Sequence, residues 1–271
     1  MNISIINKKN TFQHALLTAS LAASFLLVLC SQQAIAHTRL TVSSTPESSA
    51  GHGSTATELN IPHGCTDNPI IGNIFFLPDT ADAIVHTSTA SNFDPFEAPE
   101  GAAAIDHMVN PAYIRLIKSN DAFATTEFIN DPLGNPIGFW AAGGEIPAHN
   151  WIGRVPMTIT SVGIQPDSCA TEVRLVPAIA NICNVTTVAE IDGTDADNPN
   201  VDFWTAPDVG TIYDSPNWSH PASFTITRDL ESNPLPASCG DGISVRIIPS
   251  AAQLNRDMPV KIDGQQVWPQ P

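Results

Sequence analysis

The stretch QQAIAHTRLTVSS, which begins at Gln32, places a histidine directly after a small-residue A-x-A step. Ahead of that step lie Lys8, Lys9 and an apolar run, which together are typical of a secretory signal peptide. The sequence therefore predicts that residues 1–36 are removed and that the mature chain begins at His37. A histidine in that position offers its α-amine and its imidazole Nδ1 to one metal ion. Copper is the divalent ion that such nitrogen ligands bind most tightly.

Motifs for other chemistries are missing from the chain. It contains no G-x-S-x-G step of a serine hydrolase, no H-E-x-x-H metalloprotease pair and no glycine-rich phosphate loop. It also contains no C-x-x-C pair, which argues against a thiolate zinc site. Four cysteines remain after cleavage, an even number that predicts two disulfides in an oxidising compartment while leaving three pairings open. These are Cys65, Cys169, Cys183 and Cys239.

The charge of the chain is strongly acidic. The formal net charge is −16, with 11 basic and 27 acidic residues. Because the signal peptide holds Lys8, Lys9 and no acid, its removal takes the net charge to about −18. Such a charge excludes a nucleic-acid footprint and argues against association with anionic lipid. We expect no membrane insertion after signal cleavage.

Short segments rich in β-branched and aromatic residues recur along the chain, separated by Pro, Gly, Asn and Asp. This pattern predicts an all-β fold, an antiparallel Greek-key β-sandwich. Only SAAQLNRDM near the C-terminus indicates a helical turn, and 23 prolines disfavour long helices. We interpret residues 37–206 as the β-sandwich domain and residues 207–271 as a C-terminal β extension packed on the same domain.

A sequence of short motifs resembles the YcnI-like family of exported copper-binding domains. HTRLTVSSTPESSAG is followed by IPHGCTDNPIIGNIFFLP, then by GFWAAGGEIP, VRLVPAIANICN and VDFWTA, all within 37–206. The resemblance implies copper held by His37 and the carboxylate of Glu47, with Trp204 beside the metal. It also implies a Cys65–Cys183 disulfide, which leaves Cys169 and Cys239 for a second. His63, from the HGC step, is either a further ligand or a hydrogen-bonding residue at a strand end.

A second resemblance competes with the first. The step NWSH, with Trp218 and His220, is similar to a motif of methanotroph surface copper-binding proteins of the MopE and CorA type. In that family an oxidised tryptophan and two histidines hold copper(I). The resemblance implies that Trp218 and His220 belong to the site, together with a second histidine, for which His149 and His63 are the candidates.

Three functions follow from these features. The leading hypothesis is a non-catalytic, periplasmic or cell-surface protein that acquires, stores or delivers copper at a mononuclear site. Its expected partners are the copper ion and a copper-transport membrane protein or a metallochaperone. The enzyme alternative is a copper-dependent polysaccharide monooxygenase, which also begins at an N-terminal histidine but normally presents a flat aromatic face. With only two tyrosines, the chain shows no sign of that face. The third hypothesis is a structural or adhesive surface β-sandwich without metal.

Overall fold

The computed structural model describes residues 37–48, 53–89, 101–119 and 121–271. The predicted signal peptide at 1–36 lies outside the described residues, as does His52. The chain divides into two units, Met1–His37 and Thr38–Pro271, and the second is the compact body described below. That body is an all-β protein, which confirms the predicted fold class.

Three sheets and a C-terminal hairpin form this body. The first sheet is antiparallel, and its strands lie in the order β1, β3, β9 and β6. In the chain these four are Arg39–Leu40 (β1), Ser54–Ile61 (β3), Ile114–Leu116 (β6) and Gly153–Thr160 (β9). The hairpin consists of Val260–Ile262 (β15) and Gln265–Trp268 (β16).

The second sheet has five strands in the order β2, β13, β10, β14 and β5. Its strands are Ser44–Pro46 (β2), Ile84–Ser88 (β5), Ala170–Leu175 (β10), Phe224–Thr227 (β13) and Ile243–Ile248 (β14). The pairs β10–β14 and β2–β13 are parallel, so this sheet is mixed rather than purely antiparallel. Parallel strands need a crossover connection. The long segments that separate these strands in the chain provide it.

The third sheet is antiparallel, with five strands in the order β12, β11, β4, β8 and β7. It contains Ile70–Phe76 (β4), Thr125–Asn130 (β7), Pro136–Ile146 (β8), Ala178–Ile182 (β11) and Val201–Trp204 (β12). Gly138 in β8 lies so close to Phe75 and Phe76 of β4 that a Cβ atom would collide with both. Glycine is therefore required there for the two strands to pair.

One core joins the three sheets. Fully buried residues of all three, such as Leu59, Phe75 and Val173, belong to a single apolar cluster. Burying apolar side chains of this size stabilises the folded state by about 1.5–3 kcal/mol each. The strands at 224–227 and 243–248 are interior members of the mixed sheet, so the C-terminal part of the chain contributes to the same core.

Two disulfides link the elements, Cys65–Cys183 and Cys169–Cys239. The first is the pair that the YcnI-like resemblance implies, and the second is the pair that remains. Two disulfides indicate an oxidising, extracytoplasmic compartment. Among the described residues, no helix has the length and apolar character needed to span a bilayer.

The predicted helical turn near the C-terminus is confirmed as helix α1, Ala251–Asp257. Ser250 caps it, because its hydroxyl accepts a hydrogen bond from the Gln253 backbone N–H at 3.1 Å. This satisfies one of the amides that a helix leaves without an intrahelical partner.

Candidate functional site

The HGC step is separated from the end of β3 by one residue and is held against the end of β11. Gly64 lies so close to the Asn68 carbonyl oxygen and Ala148 that no side chain could be accommodated there. Cys65 is bonded to Cys183, the residue after β11. These constraints place His63, which is half-buried, beside the third sheet.

Strand β12 brings Asp202 and Trp204 to the same place. Its neighbour β11 pairs Asn181 with Asp202 and Ile179 with Trp204. The Trp204 side chain is buried, and its Nε1–H donates a hydrogen bond to Asp202 Oδ2 at 2.7 Å. The His63 ring packs edge-on against the Trp204 indole, with ring centroids 6.4 Å apart.

Asp202 is electrostatically unusual. Loss of hydration raises its pKa from 3.8 to about 6, while the charge of His63 and the hydrogen bonds from Trp204 and Asn181 act in the opposite direction. A carboxylate that is kept in a poorly hydrated place against such a cost is typical of a functional site. Asp202 was not among the residues predicted from the sequence, although it lies in the VDFW segment together with Trp204.

Asn181 connects this cluster to the start of the described chain. It is fully buried, and its Nδ2 donates to Thr38 Oγ1 at 2.9 Å and to Asp202 Oδ2 at 3.4 Å. Thr38 is itself fully buried. Asn181 therefore links Thr38 to Asp202 through two hydrogen bonds.

His220 approaches the same indole from the C-terminal part of the chain. Its ring stacks on Trp204, with centroids 5.0 Å apart and an interplanar angle of 27°. A tight turn positions it, since the His220 N–H donates to the Asn217 backbone carbonyl at 3.4 Å. Burial lowers the pKa of His220, which favours the neutral imidazole that metals bind. We refer to His63, Asp202, Trp204 and His220 as the Trp204 cluster.

Hydrogen bonds define the tautomers of both histidines. His63 Nδ1 lies 2.6 Å from the Gly64 carbonyl oxygen, which can only accept, so Nδ1 carries the proton. His220 Nδ1 lies 3.0 Å from Asn217 Oδ1, an atom identified as an acceptor because the Ser219 backbone N–H also donates to it. In each neutral ring the lone pair is consequently on Nε2. Metal-binding histidines usually coordinate the metal through one ring nitrogen, while the N–H of the other ring nitrogen donates a hydrogen bond to an oxygen atom.

Glu47 is placed at a different junction. Its Oε2 accepts from the Ile164 N–H at 2.7 Å and its Oε1 from the Asp229 N–H at 2.8 Å, while Asn233 Nδ2 donates to both oxygens at 3.1 Å. Glu47 thus lies beside the C-terminal end of β13, whereas His220 precedes the N-terminal end of that strand. The Glu47 carboxylate ties its own segment to those around Ile164 and Asp229.

Trp218 and His220 are two residues apart but diverge. The turn at Asn217 reverses the chain, so His220 packs on Trp204 while Trp218 packs on Arg246, whose Cζ lies 4.0 Å from the centroid of the Trp218 ring system. Of the two candidates for a second histidine, His63 shares the indole with His220. His149 instead lies 3.1 Å from Asp67 at the surface.

Two further histidines, His86 and His107, are buried inside the body. Buried His107 contacts Ser168 Oγ at 2.8 Å, and buried His86 lies against Trp218. Within the described ranges, no three His, Cys, Asp or Glu side chains are grouped as a ready metal site. Comparison with protein-family models and with curated proteins found no match. Both resemblances therefore stay predictions.

Proposed function

We propose that this chain is an exported copper-binding protein that acquires, stores or delivers copper at a mononuclear site, and that the Trp204 cluster is that site. The observation that carries the proposal is the convergence of His63 and His220 on one buried indole. The two histidines are separated by more than half of the chain, and both have Nδ1 as the protonated nitrogen.

The donor set suits copper. Two imidazole Nε2 atoms are ligands that copper prefers among the first-row metals. An indole face beside the ion favours copper(I), because the ring quadrupole attracts a cation. Asp202, hydrogen-bonded to Trp204, adds a negative charge that offsets the charge of a bound ion. Bound copper would supply Lewis acidity and a redox couple, which a storage or delivery protein restrains.

The N-terminal histidine is the other copper-binding group that the sequence predicts, and we propose it as a chelate in its own right. After cleavage at residue 36, the His37 α-amine and imidazole would chelate the ion. Glu47, engaged at the end of β13, is not part of the proposed site.

The disulfides and the acidic charge of the chain agree with a role in copper handling outside the inner membrane. Two disulfides indicate an oxidising compartment, and the net negative charge of the chain raises the local concentration of cations. In this proposal the protein is periplasmic or on the cell surface. It exchanges copper with a copper-transport membrane protein or a metallochaperone.

The first experiment is intact-mass analysis of the natively exported protein, followed by competition titration of the metal-free form with a chromophoric copper(I) chelator. We expect a chain that begins at His37 and gains one copper. His63→Ala and His220→Ala should each weaken copper(I) binding by about tenfold or more. His37→Ala, or one residue added before His37, should abolish tight copper(II) binding.

His149→Ala is the matched control, since it removes a histidine whose contact with Asp67 is at the surface. Its copper affinity should equal that of the wild type. If folded His63→Ala and His220→Ala retained full affinity, the Trp204 cluster would not be the site. If the exported chain began elsewhere than His37, the N-terminal chelate would be ruled out.

A further inference from the structure

Strand β7 is an exposed edge of the third sheet. In the part of the chain that the structure describes, the three sheets end at β1 and β6, at β2 and β5, and at β12 and β7. Strands β1, β2 and β6 have only two or three residues, and most residues of β5 and β12 are buried. Strand β7 has six residues, five of them exposed. A strand that pairs on one side only leaves backbone N–H and C=O groups able to pair with another chain.

A groove lies beside this edge. Its volume is about 430 Å³, and residues of β6, β7, β9 and the connection between β6 and β7 line it. The larger apolar residues of the lining are Leu116, Ile117, Phe123, Phe128 and Val155. Ile117 and Phe128 are 47% and 49% exposed, so the groove presents apolar surface to solvent.

The register of β7 with β8 determines which residues of β7 face the groove. Phe128, which lines the groove, is paired with Phe139 of the central core. Glu127 is paired with Trp140, which belongs to a separate apolar cluster that contains Trp268 of the hairpin. Because successive side chains of a strand point to opposite faces of the sheet, the charged residue of β7 lies on the face away from the groove.

Two basic residues, Lys118 and Arg154, line the groove in a chain whose net charge is strongly negative. Arg154 is paired with Glu58 at 3.2 Å, and their side chains are 59% and 35% exposed. An ion pair between groups this exposed contributes little to stability, so Arg154 can exchange Glu58 for the carboxylate of a ligand. At physiological salt, exposed charges farther apart than about 8 Å are largely screened. The basic residues of the lining therefore matter more to a docked chain than the net charge of the protein.

We propose that β7 and this groove bind an extended acidic segment of a partner protein, which adds to the third sheet as a strand next to β7. In this mode of binding, backbone hydrogen bonds provide affinity and side chains at alternate positions provide specificity. Apolar side chains of the segment contact Ile117 and Phe128, and its carboxylates pair with Lys118 and Arg154. The strand that carries Trp204, β12, is the opposite edge of the same sheet, so this interaction does not depend on copper.

The two basic residues favour an acidic partner over a second copy of this chain. In an antiparallel pairing of β7 with β7 of another copy, the second strand would bring its own Thr126 and Phe128 to the groove side. Neither residue carries a charge that could pair with Lys118 or Arg154.

The test measures binding of a labelled synthetic peptide to the natively exported protein by fluorescence anisotropy. The peptide has about eight residues, enough to pair with the whole of β7, and alternates glutamate and valine on one face with threonine on the other. A peptide with lysine in place of glutamate is the charge control. We expect saturable binding of the acidic peptide and binding at least about tenfold weaker of the basic one.

Two further acidic peptides carry N-methyl groups on one or the other set of alternate backbone amides. Only one set of amides faces the neighbouring strand on a given side of an added strand. One of the two methylated peptides should therefore bind much more weakly than the other.

Variants of the protein test the charges of the groove. Lys118→Glu and Arg154→Glu should each weaken binding of the acidic peptide by about tenfold or more, because like charges then face one another. Lys261→Glu reverses an exposed lysine on β15 and is the matched control, which should bind the peptide as the wild type does. All three substitutions are at exposed positions, so we expect the variants to fold.

Four results would overturn the proposal. The first two are no saturable binding of the acidic peptide in the millimolar range and equal binding of the acidic and basic peptides. The third is equal binding of the two methylated peptides, which would exclude strand addition. The fourth is a dimer of the exported protein in sedimentation that Phe128→Arg dissociates, since this would assign the edge to a second copy.

Discussion

Replacing Asp202 by asparagine should stabilise the metal-free protein at neutral pH and weaken copper binding. The asparagine Oδ1 can still accept the hydrogen bond from Trp204 Nε1, so the local geometry is kept. What the substitution removes is the negative charge, and with it the cost of keeping a carboxylate where hydration is poor. The same charge favours a nearby cation, so stability and copper affinity should change in opposite directions.

The magnitude follows from the pKa of Asp202, which rises from 3.8 to about 6 mainly through loss of hydration. A change of about 2 corresponds to about 3 kcal/mol, at roughly 1.4 kcal/mol per unit. Because the folded protein holds this proton more tightly than the unfolded chain, the carboxyl group contributes most to stability below about pH 4. That contribution is lost as the pH rises through about 6.

Urea denaturation of metal-free wild type and Asp202→Asn between pH 4 and pH 8 measures this difference. We expect nearly equal free energies of unfolding near pH 4. At pH 8 the variant should be more stable by about 1–3 kcal/mol. Glu145→Gln, which neutralises an exposed carboxylate on β8, serves as the control and should show no such divergence.

Two results would refute the reasoning about Asp202. A difference between wild type and variant that did not change with pH would show that Asp202 ionises normally in the folded protein. A variant that was more stable at pH 8 and yet bound copper as tightly as the wild type would separate Asp202 from the proposed metal site.

Three further predictions concern other parts of the molecule. Glu47→Gln should lower the free energy of unfolding by about 1–3 kcal/mol, because a charged acceptor at a three-segment junction is lost. Copper affinity should stay unchanged, and a large loss of affinity in the folded variant would restore Glu47 as a ligand. Removing the Cys65–Cys183 disulfide, which spans 118 residues, by double alanine substitution should cost about 3–5 kcal/mol in urea denaturation; a cost near zero would contradict this. The pKa of His86 is lowered from 6.5 to about 4, so its contribution to stability is present above pH 6.5 and lost as the pH falls through 4. The free energy of unfolding of His86→Gln should therefore fall less than that of the wild type over this pH range. An identical pH profile in the two proteins would count against a buried neutral His86.

The class of fold could be predicted from the sequence because its signals are local. Alternation of apolar and polar residues, turn residues at regular spacing and a serine before AAQLNRD act within a few residues. The directions of β2 and β10 relative to their neighbours could not be predicted in this way. Whether two strands pair in parallel depends on contacts between segments far apart in the chain, and no local sequence pattern specifies these contacts.

For the site, the two resemblances predicted His63, Trp204 and His220 as candidate residues but did not bring all three together. Their convergence depends on the disulfide at Cys65 and on the pairing of β11 with β12. Even neighbouring residues can be misjudged in this way. Trp218 and His220 are two residues apart, a spacing that puts side chains on the same face of a strand but not across the turn at 217–220. Residue type and local spacing were therefore determined by the sequence. Proximity, burial and the raised pKa of Asp202 were decided only by the tertiary structure, because each depends on contacts between residues far apart in the chain.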